Sequence, residues 1–490
     1  MSTRGIAISI SLALSIAAVT PLLAIPPSQP FTQRGYYITL MRMPVMGLAE
    51  WKQAVDCFAE DDINTLILWT AGGFRSKKFP VTWKYNADHA NIQHDFVREL
   101  IDYAHTKHIR VLLGFTPFGY DGVNQYPLEH PELKAKKTDG SPVDPFGIHS
   151  IGWNLCPAQP ESQRFMREYI HEMFFDFYPN ADGLLIESSD YAICHCPQCG
   201  AHFYDHEFDF VRTISNEVWQ RKPDATILVF PHYFTGAKVP GLDATAAKRP
   251  FDPRWALSFA PHSAPFDAAL MQQAKTTISW SDATALHTPH EVAAAARTAR
   301  DHHATGFIPS LEAFSYVATV PEAGDPWVVG RRHAPYGFDA TAEGKMPYNL
   351  LPVRVQRFAY RCFSQEPDMT DADFKRSVAQ HFFASENEAH AAELATDLLE
   401  LQRIWFSGSD WYWPSPLLDP AFFQAHSRKL NWPPDKLAEY GQNLIALRSI
   451  AAKHTMSADS TAREMSRLAT IVLNRWDSLG STPTTLQIGQ

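Results

Sequence analysis

Asp182-Gly183-Leu184-Leu185-Ile186-Glu187-Ser188-Ser189-Asp190-Tyr191 is the stretch on which the reading of this chain turns. Its apolar run is short and uninterrupted, the pattern of a strand buried on both faces of a parallel sheet. The run ends in a carboxylate, Glu187, and a second carboxylate follows at Asp190. Cys194-His195-Cys196-Pro197-Gln198-Cys199 comes straight after. A (β/α)8 barrel places its acid and base groups in this way, at the carboxyl ends of strands and on the loops that follow them.

Working outward, seven more runs read as strands. They are Gly35–Leu40, Asn64–Trp69 and Arg110–Phe115 before this stretch, then Thr226–Phe230, Trp255–Ala260, Thr277–Trp280 and Gly306–Leu311 after it. Helical spacing separates most of them, as in Leu48, Trp51, Val55 and Phe58, in Phe165, Tyr169 and Met173, and in Phe210, Ile214 and Val218. An Ala-rich helix from Glu291 to His303 leads into the eighth strand. Turns from helix to strand are short, as at Asp62-Ile63 and His108-Ile109, whereas segments after strands two, three, five and eight are long. That asymmetry suits a barrel whose site is built on the loops after its strands. A doubly wound sheet would share the asymmetry, but no Gly-rich phosphate fingerprint follows the first strand. The expected fold is therefore a (β/α)8 TIM barrel over residues 30–347.

From Tyr348 onward the strand-like runs stop. Leu394, Leu398, Leu401 and Trp405 form one helical stripe, Leu437, Tyr440, Leu444 and Leu447 a second, and Met465, Leu468 and Val472 a third. This predicts an α-helical C-terminal domain over 348–480. It is interrupted by the aromatic run Phe406 to Pro414, which either packs the helices on the barrel or lines a sugar site. At the other end, Arg4, the apolar segment Ile6 to Val19 and Leu22-Leu23-Ala24 read as an export signal over 1–24, with a single membrane anchor as the alternative. The mature chain is expected outside the cytoplasm, secreted or periplasmic, and not in a membrane. Its net charge of -10 argues against a nucleic-acid partner, because phosphate binding needs clustered Lys and Arg.

The candidate chemistry sits at the strand ends. Partial burial at a barrel mouth raises the pKa of a carboxyl, which would let Glu187 donate a proton; the alternative is a structural carboxylate paired with a barrel Arg. Asp190 is a second acid, a substrate-positioning group or a cap. Asp282 after the seventh strand and Glu312 after the eighth complete the candidate acids. Hydrolysis of a glycosidic bond uses two carboxylates, about 5 Å apart for retention and about 6.5–9.5 Å for inversion. His232, Tyr233, His262 and Trp280 lie at or just after strands, Tyr191 adjoins Asp190, and Trp153-Asn154 precede the third barrel helix. Together they suit a wall of stacking rings and hydrogen-bonding groups for a carbohydrate. Cys194, Cys196 and Cys199, with Cys156 within reach, hold either a structural zinc or disulfides. Cys57 and Cys362 fall in helical patterns and read as buried thiols. No cofactor is implied for the chemistry itself.

Asn154-Leu155-Cys156-Pro157 ahead of a helix, Asp182-Gly183 and Glu187 on one strand, Asp190-Tyr191 and the C-x-C-x-x-C cluster together form a pattern. It resembles exported bacterial barrel proteins related to glycoside hydrolase family 20 and to the α-glucuronidases. The resemblance runs in outline from Gly35 to Phe383, and its specific part is Asn154 to Cys199. It implies an exo-acting glycosidase on a TIM barrel with Glu187 as the leading general acid. Where family 20 hexosaminidases end strand four in adjacent Asp and Glu, this chain has Ile186-Glu187, with Asp190 beyond two serines. Two other readings stay open: a non-catalytic carbohydrate-binding barrel, and a metal-dependent hydrolase using Asp190, His232 and His262.

Overall fold

The structure is a computed structural model. It describes residues 30–40, 43, 46–120, 122–145, 152–187, 193–200, 202–231, 249–260, 268–280, 287–311, 347–384, 386–408, 415–420, 423–424, 427 and 431–480. Eight parallel strands close into a barrel in chain order: β1 Gln33–Ile38, β2 Thr65–Trp69, β3 Arg110–Phe115, β4 Gly183–Glu187, β5 Thr226–Phe230, β6 Ala256–Phe259, β7 Thr277–Trp280 and β8 Gly306–Ile308. The expected strands three, five and seven have these same bounds; the others differ at their ends by one to three residues. The expected export signal lies outside the described residues, among which no helix is long and apolar enough to cross a membrane.

Helices α1 Leu48–Glu60, α2 Val97–Thr106, α3 Pro160–His171 and α4 Phe203–Arg221 follow β1 to β4, and α5 Pro289–Asp301 follows β7. After β8 comes α6 Leu351–Gln365, which packs beside α5 and closes the ring of helices. Beyond it, α7 Asp371–Phe382, α8 Glu388–Trp405, α9 Pro434–His454 and α10 Ser460–Ser478 form the all-helical unit. All three apolar stripes read from the sequence there are buried.

The seam between the last and first units is held by a buried polar cluster. Arg357 on α6 donates from Nε to Asp61 at 2.6 Å, and its other nitrogens reach the carbonyls of Tyr348 and Cys57. Tyr36 on β1 donates to the same Asp61 carboxylate at 2.9 Å, and Tyr360 donates to the carbonyl of Ser310 beyond β8. Burial pushes the Asp61 carboxyl upward and Arg357 offsets this only in part. Burial opposes the charge on Arg357, but Asp61 and Tyr36 outweigh it and keep the guanidinium protonated. The amide of Phe31 donates to Ser364, so the strand entering the barrel is tied to the helix leaving it.

The short helix-to-strand turns have a common geometry. Asp62, His108 and His303, just after α1, α2 and α5, take positive φ of 59°, 59° and 57°. A left-handed residue there lets the chain leave the helix and start the next strand at once.

Three substitutions test these features of the fold. Asp61→Ala should cost about 3–5 kcal/mol, because it leaves Arg357 buried without its partner. Asp477→Ala, at the exposed pair with Arg448, should cost less than about 1 kcal/mol. His108→Gly removes a side chain from a left-handed backbone position on the surface and should stabilise by about 0.5–1 kcal/mol. Denaturant unfolding of the three variants measures all of these.

Candidate active site

Register fixes which strand residues look into the barrel. Side chains alternate along a strand, so partners in register share a direction. Trp69 pairs with Gly114, Gly114 with Leu185, Glu187 with Phe230, Leu228 with Ala256, Ser258 with Ile278, and Trp280 with Ile308. Tyr37 bridges Ser310 and so completes the circuit. Ring contacts across the sheet confirm the direction. Trp280 lies 5.1 Å from Tyr37 and 4.6 Å from Phe230 between centroids, and Tyr37 lies 6.3 Å from Trp69.

Glu187 is therefore the inward-facing residue at the carboxyl end of β4, level with Phe230 on the neighbouring strand. It is half-buried, while the four residues before it on β4 are buried. The opposite end of the strand explains Asp182. Its carboxylate accepts from the amide of Val111 at 2.7 Å and meets the His105 ring at 2.8 Å, anchoring the foot of β4. The two carboxylates that bracket the apolar run thus have different work: Asp182 is structural and Glu187 faces the mouth.

Tyr37, Trp69, Phe230 and Trp280 form an aromatic layer below the rim, and Tyr120 meets Trp69 from the loop after β3. Gly114 makes room for Trp69: a Cβ at that position would sit 3.1 Å from the indole. The indole nitrogens of Trp69 and Trp280 are buried with no acceptor among the described residues. A buried donor without a partner costs about 1–3 kcal/mol, and the indole of Trp51, on a helix away from the mouth, shares this state. Trp280 was legible as a strand-end ring. Tyr37, Trp69 and Phe230 were not singled out, although each is the last or next-to-last residue of its strand.

The loop after β2 is fixed by Glu172, which follows α3. It accepts from Ser76 Oγ at 2.5 Å and from the amides of Lys77 and Lys78 at 2.8 and 3.2 Å. The loop after β3 folds back on itself, with Lys134 bridging Leu155 and Lys136 bridging Pro142. Trp153 and Asn154 lie on the return of this loop. Asn154 is buried, its carbonyl accepting from Ala135, and the Trp153 ring carries the Lys134 ammonium 3.6 Å from its centroid. Asp190, Tyr191, His232, Tyr233, His262, Asp282 and Glu312 lie outside the described residues, as do residues 409–414 of the aromatic run. Its first residue, Phe406, stacks on His287 at 5.0 Å, and Gln402 on α8 donates to the His287 carbonyl at 2.5 Å. This part of the run packs the helical unit against the chain entering α5.

The four cysteines Cys156, Cys194, Cys196 and Cys199 converge. All are buried, none is in a disulfide, and their sulfur atoms lie within 4.8 Å of one another. Cys156 Sγ is 3.6 Å from Cys196 Sγ and 3.5 Å from Cys199 Sγ. Hydrogen bonds from Cys156 and Cys199 lower the Cys194 thiol, the contact with Cys194 raises Cys156, and the contacts with Cys156 and Cys194 raise Cys199. Cys57 and Cys362 stand apart; Cys57 donates to Asn349 Oδ1, and burial pushes Cys362 up to about 12.

Trp280→Phe keeps a ring between Tyr37 and Phe230 and removes the unpartnered N–H. Its stability should stay within about 1.5 kcal/mol of wild type, whereas Trp280→Ala should lose about 3–5 kcal/mol. Chemical unfolding of the pair separates packing from polar function at this position.

No protein-family model matches the chain. No curated protein matches it either. Among solved structures, it is similar to an enzyme of glycoside hydrolase family 138 that targets pectin rhamnogalacturonan II, with TM-score 0.51, 14% identity, and coverage of 91% of this chain and 57% of that one. A family 20 exo β-N-acetylglucosaminidase from Vibrio harveyi has TM-score 0.45, 13% identity, and coverage of 75% and 58%. A family 20 chitobiase from Flavobacterium johnsoniae has TM-score 0.42, 12% identity, and coverage of 94% and 74%. The chain thus spans a little over half the length of the first two. At these identities what is shared is the fold, and the family 138 structure places this chain among the (β/α)8 barrels.

Proposed function

We propose that the protein is an exported, exo-acting glycoside hydrolase with Glu187 as its proton donor. The observation that carries this reading is the position of Glu187, inward-facing and half-buried at the end of β4 above a layer of aromatic rings. A carboxyl so placed meets the leaving oxygen of a sugar that enters from the carboxyl side of the barrel. Aromatic faces stack on the apolar faces of pyranose rings, and the indole donors of Trp69 and Trp280 supply hydrogen bonds for hydroxyls. The partner carboxylate in this proposal is Asp190, Asp282 or Glu312, in that order of preference. The first follows Glu187 on the same loop, and the other two follow β7 and β8 in sequence. Export rests on the signal-like residues 1–24, and the structural kinship with carbohydrate-active barrels agrees with a saccharide substrate.

The test is turnover on a panel of aryl glycosides, uronides and N-acetylhexosaminides included, by wild type and Glu187→Gln in parallel. The expected outcome is cleavage of one glycoside by wild type and a loss of about 10²–10⁴-fold in kcat in the variant, with saccharide binding retained. Equal turnover by both proteins would remove Glu187 from the mechanism. Saccharide binding with no turnover by either would point instead to a barrel that binds carbohydrate without cleaving it.

A further inference from the structure

The cysteine cluster is not used by the proposed chemistry, and its geometry asks for an occupant. We propose that Cys156, Cys194, Cys196 and Cys199 bind one Zn²⁺ as thiolates in a closed tetrahedral site. A Zn–S length of about 2.3 Å sets the sulfur-to-sulfur edge of such a tetrahedron at roughly 3.8 Å. Two of the separations, 3.5 and 3.6 Å, fall just inside that value, and no pair exceeds 4.8 Å. A disulfide would require about 2.05 Å between two of them.

Backbone groups are already aimed at the sulfurs. The amide of Lys136 donates to Cys194 Sγ at 3.3 Å, and the amide of Cys199 donates to Cys196 Sγ at 3.4 Å. Such N–H···S bonds disperse the charge that thiolates bring to a metal. Four sulfurs around one point, all buried, leave a divalent ion no open position for water, so the site is structural and not catalytic. Binding is an exchange in which Zn²⁺ enters and the protons of the thiols leave to solvent; no electron is transferred.

The ligands come from two different loops. Cys156 ends the loop after β3, and the other three belong to the loop after β4, on which Glu187 opens. A backbone hydrogen bond runs the same way: the His195 amide donates to the Lys136 carbonyl. The ion would therefore fasten the β4 loop to the β3 loop at the barrel mouth. This inference stands on the cluster alone and does not depend on the glycosidase reading.

The test is metal analysis of the purified full-length protein, with mercurial titration of its thiols in the presence of a chromogenic zinc indicator. We expect one zinc per chain, released in step with thiol modification, and a lower Tm after release. Cys199→Ser should lose the metal, and Cys362→Ser, at a buried thiol outside the cluster, should keep it. If Cys199→Ser does not fold, replacing zinc by Co²⁺ in wild type decides the matter. Intense thiolate-to-cobalt charge-transfer bands with tetrahedral d–d absorption are expected. Protein that carries no zinc, with the four cysteines either free to alkylation or joined as disulfides, would overturn the proposal. Iron in place of zinc would overturn it equally.

Discussion

Closure of an eight-stranded parallel sheet leaves no strand free to choose its own register. Each strand is fixed by two neighbours, so one parity, carried around the ring, decides every inward-facing side chain. In this barrel that parity runs from Tyr37 through Trp69, Gly114, Leu185, Glu187, Phe230 and Trp280 back to Ser310. Glu187 faces the mouth because β4 pairs on both sides with strands that hold it there. Moving β4 by one residue would turn Glu187 toward the helices and bring Ile186 into the barrel.

The same constraint separates what the sequence revealed from what it hid. The strands were legible because each is a short apolar run between turn signals, and for β3, β5 and β7 the run read from the sequence coincides with the strand. The carboxylate at the end of β4 was legible for the same local reason. The aromatic layer was not. Tyr37, Trp69, Phe230 and Trp280 belong to strands far apart in the chain, and only the register brings their rings into contact. The role of α6 was hidden as well, because an amphipathic stripe does not say what it packs against. Helical spacing from Leu351 onward looks alike whether the partner is α5 of the barrel or α8 of the helical unit, and α6 touches both.

The cysteines show an intermediate case. The spacing of Cys194, Cys196 and Cys199 announces a tight loop with converging sulfurs. The fourth member, Cys156, is brought in by the pairing of Lys134 with Leu155 within the β3 loop and of His195 with Lys136 between the two loops, contacts that no spacing rule encodes. The two observations share an address. Three of the four sulfurs lie on the segment that leaves β4, whose last strand residue is the half-buried glutamate.

The buried pair at the seam sets the order in which the molecule can be completed. Asp61 precedes β2, but its partner Arg357 arrives only after β8, nearly three hundred residues later. A ribosome delivers the chain from its N-terminus, so β1 pairs with β2 early and keeps its other edge bare until β8 emerges. Contacts of such long range are slow to form, because the loop they close must be ordered first. The barrel is thus a late-closing vessel. For most of its synthesis it is an unsealed curved sheet with one edge of β1 still unpaired.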